Sequence, residues 1–309
     1  MRYLKWYGSF ILALMLLASR IPLHAAEIEV AVGAWQQNPR GSVSYTYNVL
    51  DIATKTADGI VHDLVPFDNH LIKQLHNDME DLIGTLFPGT DANGVIDKIF
   101  TRTDTLDFDD DAYYDPIVRP TGRVKIMVSP FLNFYLMATP IEFEGSGEKA
   151  LNFTFLGVTF TSNVPFESRL KLTHYDFAYY IDIPDFSAGQ AWEFHTDAGL
   201  NLRIVDFYAE ISQGNTGLAA SAEYTVPLPM LYLAAQLKNK GGFSIEAETR
   251  GVRYSSDYTY SLIGRVKFHI YKSLHLAAGY RLDYITFSVH DIDSEGTFSG
   301  PFMETVLIF

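Results

Sequence analysis

The chain has no cysteine among its 309 residues. Disulfides and thiolate metal centres are therefore excluded, and stability has to come from packing and hydrogen bonding. It also lacks any apolar run of about 20 residues, the length a membrane-spanning helix requires. The run from Phe10 to Ala18 is too short. It stands behind Arg2 and Lys5 and ahead of Pro22, Ala25 and Ala26, an order that reads as a secretory signal peptide over 1–26. No cysteine follows that could take a lipid anchor. Bases are scarce as well: 23 Lys and Arg stand against 37 Asp and Glu, a formal charge of −14, which argues against a nucleic-acid partner.

What the chain has in excess is aromatic residues, with 19 Tyr and 22 Phe, and period-two alternation. In Leu274 to Tyr284 the apolar set Leu274, Leu276, Ala278, Tyr280, Leu282 and Tyr284 alternates with His275, Arg281 and Asp283. In 260–270, Tyr260, Leu262, Val266, Phe268 and Ile270 oppose Ser261, Arg265, Lys267 and His269. One face of each segment is apolar and the other charged. A soluble sandwich alternates too, but near-spanning strand lengths, the leader, tight turns and the aromatic excess together favour a membrane barrel with aromatic girdles.

The pattern predicts an all-β, antiparallel transmembrane β-barrel of about ten strands, near 27–46, 119–128, 133–145, 168–182, 191–211, 216–237, 242–255, 259–271, 274–289 and 298–309. Pro130 and Pro140 interrupt the second and third strands, so counts from eight to twelve stay open. An even count puts both termini in the periplasm, with short turns near Pro130, Ser187, Lys240 and Lys272. The final residue is Phe309, and Met303, Thr305, Leu307 and Phe309 alternate in the last strand. A terminal Phe resembles the signal read by the barrel assembly machinery, which is thereby an expected partner.

Residues 50–118 break the pattern. Leu71, Ile72, Leu75, Met79, Leu82, Ile83 and Leu86 recur at helical spacing, with Asp68 or Asn69 as N-cap and Pro88-Gly89 as the stop. A shorter helix is expected near Val95 to Phe100. This reads as a helical insertion in the first outward loop, its apolar face needing the barrel mouth, lipid or another protein as cover. The acidic stretch Asp104 to Asp115 reads as solvated loop. Asp91 to Asp97 looks like part of a calcium loop, but the first and twelfth ligand positions fall on Gly89 and Phe100, so no metal is expected.

Val32-Gly33-Ala34-Trp35, Thr173-His174-Tyr175-Asp176-Phe177, Pro227-Leu228-Pro229-Met230-Leu231-Tyr232, Gly279-Tyr280-Arg281 and Gly300-Pro301-Phe302 together resemble a family of small Gram-negative outer-membrane β-barrels of unassigned activity, allied to the OmpW-like proteins. The resemblance covers strand one and most of 125–309 and leaves 50–118 outside. It implies an outer-membrane location and a barrel, and brings no catalytic residues.

The expected lumen-lining residues are Glu193, His195, Asp197, Arg203, Glu223, Glu246, Glu248, Arg250, Arg265, Lys267, His269, Arg281 and Asp283. A narrow interior filled by mixed charges is either a salt-bridged polar core or a selective conduit. His174 and Asp176 share a strand face, but no motif fixes a serine beside them, so they read as a structural pair and the chain as no enzyme. No cofactor is expected. The expected role is passage of small solutes, of unknown identity, or envelope structure; the alternative is a non-conducting barrel acting through 50–118. Outer-membrane lipid and lipopolysaccharide are the other expected partners.

Overall fold

The computed structural model describes residues 27–49, 69–86, 88–89, 91–187, 191–254, 257–289 and 291–309. The signal-peptide reading of 1–26, and residues 50–68 of the insertion, lie outside the described residues.

Fourteen strands follow in order: β1 (Glu27–Asn48), β2 (Thr101–Asp107), β3 (Ile117–Ser129), β4 (Leu132–Thr139), β5 (Glu142–Gly147), β6 (Phe153–Phe155), β7 (Val158–Phe160), β8 (Phe166–Ser187), β9 (Trp192–Gln213), β10 (Leu218–Asn239), β11 (Phe243–Tyr254), β12 (Asp257–Tyr271), β13 (Leu274–Val289) and β14 (Ile292–Ile308). Ten antiparallel staves make a closed barrel: β1, β3, β4 with β5, and β8 to β14 in sequence. Closure comes from β14 pairing with β1, from Glu29 opposite Ile308 to Tyr45 opposite Ile292. A closed ring leaves no strand edge, which is what hydrocarbon surroundings demand. Phe309 completes the seam, its amide donating to the Ile28 carbonyl at 2.9 Å while its side chain points outward, exposed.

One end of the barrel carries the termini and the tight turns Ser129–Leu132, Asn239–Phe243 and Tyr271–Leu274; the other carries the long connections between β1 and β3 and between β5 and β8. We call them the turn end and the loop end. At the loop end the wall departs from a simple ladder. Pro120 and Pro140 have no N–H to give, and the β3–β4 pairing stops at Gly122 opposite Ala138. β3 stays on β1 as far as Gln37 opposite Ile117, and beyond it β2 takes over as the partner of β1, from Ser42 opposite Asp107 to Asn48 opposite Thr101. The turn after β2 then lies against β5. Gly145 and Gly147 approach the backbone of Ala112 and Asp111 so closely that a Cβ at either would collide with a carbonyl oxygen.

Two helices occupy the insertion, α1 (Asn69–Leu86) and α2 (Ala92–Phe100). They pack on each other, and Asn93 donates to Glu80 at 3.2 Å. Asp91 caps α2 by accepting from the Gly94 amide at 3.1 Å, so the calcium-like segment is helix-capping chemistry.

The stretch 101–115 differs from the solvated loop expected of its acidity. Thr101–Asp107 is a strand, and Phe108, Ala112 and Tyr114 turn into the barrel mouth and are buried. Its carboxylates work locally: Asp107 accepts from the amides of Asp109 and Asp110, Asp111 from that of Asp107, and Asp104 from Tyr47 Oη and the Thr154 amide. Such side-chain to backbone bonds build turns, and an acidic composition cannot distinguish them from a solvated run. The hairpin β6–β7 and the start of β14 at Ile292, rather than 298, also lie outside the expected pattern.

Candidate functional site

The polarity of the wall inverts along its length, and this inversion builds the interior. Outward residues of the turn-end half are apolar, among them Leu200, Leu202, Ile204, Leu231, Leu233, Ile245, Leu262, Tyr280 and Met303. Past the level of Ile204 the outward face becomes polar, with Arg169, Lys171, Asp206, Glu210 and Glu223. Arg169 is bonded there to Glu142, and Lys171 to Asp206. Strands β8, β9 and β10 have 22 residues each, roughly 70 Å of chain at 3.3 Å per residue, where a tilted spanning strand needs only about 9–11 residues. The surplus stands in water at the loop end. Near the changeover Tyr258, Tyr260 and Tyr284 stack with centroids 4.9 and 5.2 Å apart between Tyr284 and its neighbours, an interfacial girdle.

Inside, the order is reversed. The loop-end half is packed with Phe143, Phe153, Phe160, Phe166, Phe207, Ile211 and Phe298, all buried, with Phe143 and Phe298 stacked at 5.8 Å. Burial in this apolar mouth pushes the Tyr114 hydroxyl up to about 12.

The middle of the lumen is charged. Asp176 on β8 takes two bonds from Arg203 on β9, at 2.9 and 3.0 Å. Arg281 and Asp283 of β13 pair at 2.6 Å, and Arg281 Nη2 reaches His174 Nε2 on β8 at 3.3 Å. Closer to the turn end, Lys125 of β3 pairs with Glu248 of β11 at 3.2 Å, and Glu248 also holds Arg250 and Arg265 at 3.1 and 3.0 Å. Lys267 joins Glu29 and Glu246, at 2.9 and 2.5 Å. Arg123 binds Glu29 and Glu304. Rings fill the remaining space: Arg281 lies 4.6 Å over Trp35, and Arg250 4.4 Å over Tyr135. Each such cation gains from the ring face in addition to its carboxylate.

Two of these contacts decide how open the barrel is. In the ring of staves β8 stands opposite β13, and β3 opposite β11. The Arg281–His174 and Lys125–Glu248 contacts therefore join diametrically opposed walls. Side chains that meet across the full diameter narrow the lumen at those levels.

Toward the turn end the lumen widens into a vestibule of about 580 Å³, floored by Lys125, Glu246, Glu248 and Lys267 and walled by Asp182, His195, Asp197 and Gln236.

Of the residues singled out from the sequence, Arg203, Glu246, Glu248, Arg250, Arg265, Lys267, Arg281 and Asp283 are buried in the lumen. His195 and Asp197 line the vestibule. Glu193 and His269 are exposed at the turn-end rim, where His269 Nε2 meets the Lys272 carbonyl at 2.7 Å. Glu223 is a correction. It lies outside, opposite Tyr208, because the loop-end half of β10 turns Ala220, Ala222 and Tyr224 inward. The rule of charged inside and apolar outside holds in the turn-end half and reverses in the loop-end half. Glu29, Arg123, Lys125 and Glu304 also belong to the network, beyond the residues expected from the sequence. Their signal is present there, since Arg119, Thr121, Arg123 and Lys125 alternate in β3.

Neither a family model nor a curated protein matches the chain. Solved structures do. The outer membrane protease OmpT from Escherichia coli is 8% identical, with 92% of this chain and 97% of that one covered at a TM-score of 0.48. Ail, the attachment invasion locus protein of Yersinia pestis, is 7% identical over 92% and 99% at 0.29, and a Pseudomonas aeruginosa FadL homologue 9% identical over 93% and 90% at 0.26. The chain is a closed antiparallel barrel of ten staves. The reading that excluded an enzyme is corrected: one of these neighbours is a protease, a likeness of fold that assigns this chain no activity.

Proposed function

We propose that the protein is a sealed barrel of the Gram-negative outer membrane that works through its loop-end surface rather than as a conduit. The carrying observation is the pair of contacts across the full diameter, Arg281 with His174 and Lys125 with Glu248. The apolar loop-end packing around Phe143 and Phe298 forms a second, independent closure. Passage of small solutes would require both layers to part. On this reading the turn end faces the periplasm, as short turns do in such barrels, Phe309 is read during assembly, and the OmpW-like motifs describe the wall and its turns.

The interacting element is the helical pair of the insertion, where Leu82 of α1 is exposed. Lipopolysaccharide or a surface partner is its expected contact. Reconstitution into planar bilayers tests the seal: wild type is expected to show no unitary conductance, while a Lys125→Ala/Glu248→Ala variant combined with Phe298→Ala conducts. Stepwise conductance from wild type would refute the proposal. Deleting 50–100, and sparing the β2 strand and the Phe108–Tyr114 turn, should abolish surface binding and leave a folded barrel.

A further inference from the structure

The loop-end mouth is covered by an element that stands outside the barrel ladder. Strands β6 and β7 form a separate two-stranded sheet, with Phe153 opposite Phe160 and Phe155 opposite Val158. Leu156 and Gly157 between them have φ of 52° and 79°, the conformation of a tight two-residue hairpin turn. The stems are tied to each other as well: the Asn163 amide donates to the Lys149 carbonyl at 2.8 Å, and the Ser162 amide to Asn152 Oδ1 at 2.7 Å. Residues 149–163 are thus one body. They lie across the mouth, β6 against β1 and β2 and β7 against β10, and β1 stands opposite β10 in the ring.

The attachments of this hairpin differ from side to side. Both covalent ends leave the wall together, where the β5–β8 pairing ends at Gly147 opposite Phe166. Beside that point Gln213 of β9, fully buried, uses its side-chain amide as a ladder partner. Its Oε1 accepts from the Thr161 amide at 3.0 Å, and its Nε2 donates to the carbonyls of Thr161 and Val164 at 2.9 and 3.0 Å. The far side is held by less: Asp104 on β2 accepts from the Thr154 amide at 2.6 Å, and the Phe155 ring meets Tyr45 at 6.2 Å. Burial of Phe153, Phe155 and Phe160 keeps the hairpin closed at rest. A two-stranded hairpin is marginal by itself, and local opening selects the elements with the fewest links to the rest.

We infer that residues 149–163 are a hinged lid on the loop-end mouth. It pivots where β5 meets β8, braced there by Gln213, and lifts from a catch formed by Asp104 and the Thr154 amide. The inference rests on the sealed-barrel reading and adds which part of the closure opens. The charged layer below, with Arg281 on His174, belongs to the wall strands themselves. A raised lid therefore uncovers a blind cup lined by Phe143, Phe207 and Phe298 and leaves the charged layer joined.

Amide hydrogen exchange of the detergent-solubilised full chain, resolved residue by residue, tests the lid. Amides of 153–160 are expected to exchange about a hundredfold or more faster than those of 196–209 in β9, while the Thr161 amide, held by Gln213, stays slow. Asp104→Ala should speed 153–160 about tenfold and leave 196–209 unchanged, which separates a released catch from general loosening. Asp104→Asn keeps an acceptor for the Thr154 amide and should exchange like wild type. Gln213→Ala is expected to release Thr161 as well. Unaltered heat-modifiable migration on gels shows that each variant is folded. Four outcomes overturn the inference: 153–160 as slow as β9, Thr161 opening together with 153–160 in the wild type, no change in Asp104→Ala, or equal acceleration of 153–160 and 196–209 in that variant. Conductance from wild type would refute the sealed-barrel reading and leave this exchange pattern untouched.

Discussion

The two halves of this barrel obey opposite rules. In the turn-end half the wall is apolar outside and charged within, with Leu231 facing out and Arg250 in; in the loop-end half Glu223 faces out and Phe207 in. A single strand, β9, carries both arrangements, passing from Leu202 outside and Arg203 inside to Asp206 outside and Phe207 inside. The backbone alternation never changes; the solvent does. Where hydrocarbon surrounds the wall, apolar side chains are stable outside and the polar ones must satisfy one another within. Where water surrounds it, the hydrophobic effect drives the rings inward, as in a soluble protein. The inversion thus marks on the chain itself where the two halves meet. It also gives the lumen two packed layers of different chemistry, one charged and one aromatic.

The comparison is most strongly broken by removing one member of the charged layer. Arg203→Leu leaves Asp176 and Asp283 buried beside a lost cation and is expected to cost about 3–5 kcal/mol. Replacing Arg203 and Asp176 together by apolar residues should recover much of that loss, because no uncompensated charge remains. Urea unfolding in liposomes, followed by the fluorescence of Trp35 beneath Arg281, reads both variants.

A charge on the outside distinguishes the two halves directly. Leu231→Arg places a guanidinium in the apolar belt and should destabilise by roughly 2–4 kcal/mol, whereas Thr225→Arg, on the same strand and face beyond the boundary, should change stability by no more than about 1 kcal/mol. Equal effects would show that the boundary is misplaced. A smaller effect is expected at the loop-end mouth: Asp104→Ala removes acceptors from Tyr47 and Thr154 and should lower stability by about 1–2 kcal/mol. Smallest is Glu223→Gln, expected within about 0.5 kcal/mol of wild type; a larger loss in the same unfolding assay would return Glu223 to the interior.

Much of the wall is legible in the order of the residues. The strand pattern from Trp192 onward places Arg265, Lys267, Arg281 and Asp283 on one face because alternation is a local property of an extended chain. Helix α1 is legible for the same reason, with its 3.6-residue period and the stop at Pro88-Gly89. Alternation misplaces Glu223 because it states which residues share a face and not which face meets water. The burial of Phe108 and Tyr114 is hidden for a related reason: short-range acidity around Asp107 to Asp111 describes a turn's capping groups, while the rings between them answer to β5, distant in sequence.

Alternation is local, so the chain by itself specifies the strands and which residues share each face. That charged side chains meet across the lumen follows from the assembled ring. Closure brings β8 opposite β13 and β3 opposite β11, and only at that diameter do Arg281 and His174, or Lys125 and Glu248, come within reach. It likewise sets Asp182 against Asp197, 15 residues apart in the chain, through the register of β8 on β9. Contacts across a lumen depend on stave number, tilt and register together, quantities that belong to the whole ring and to no single segment of the chain.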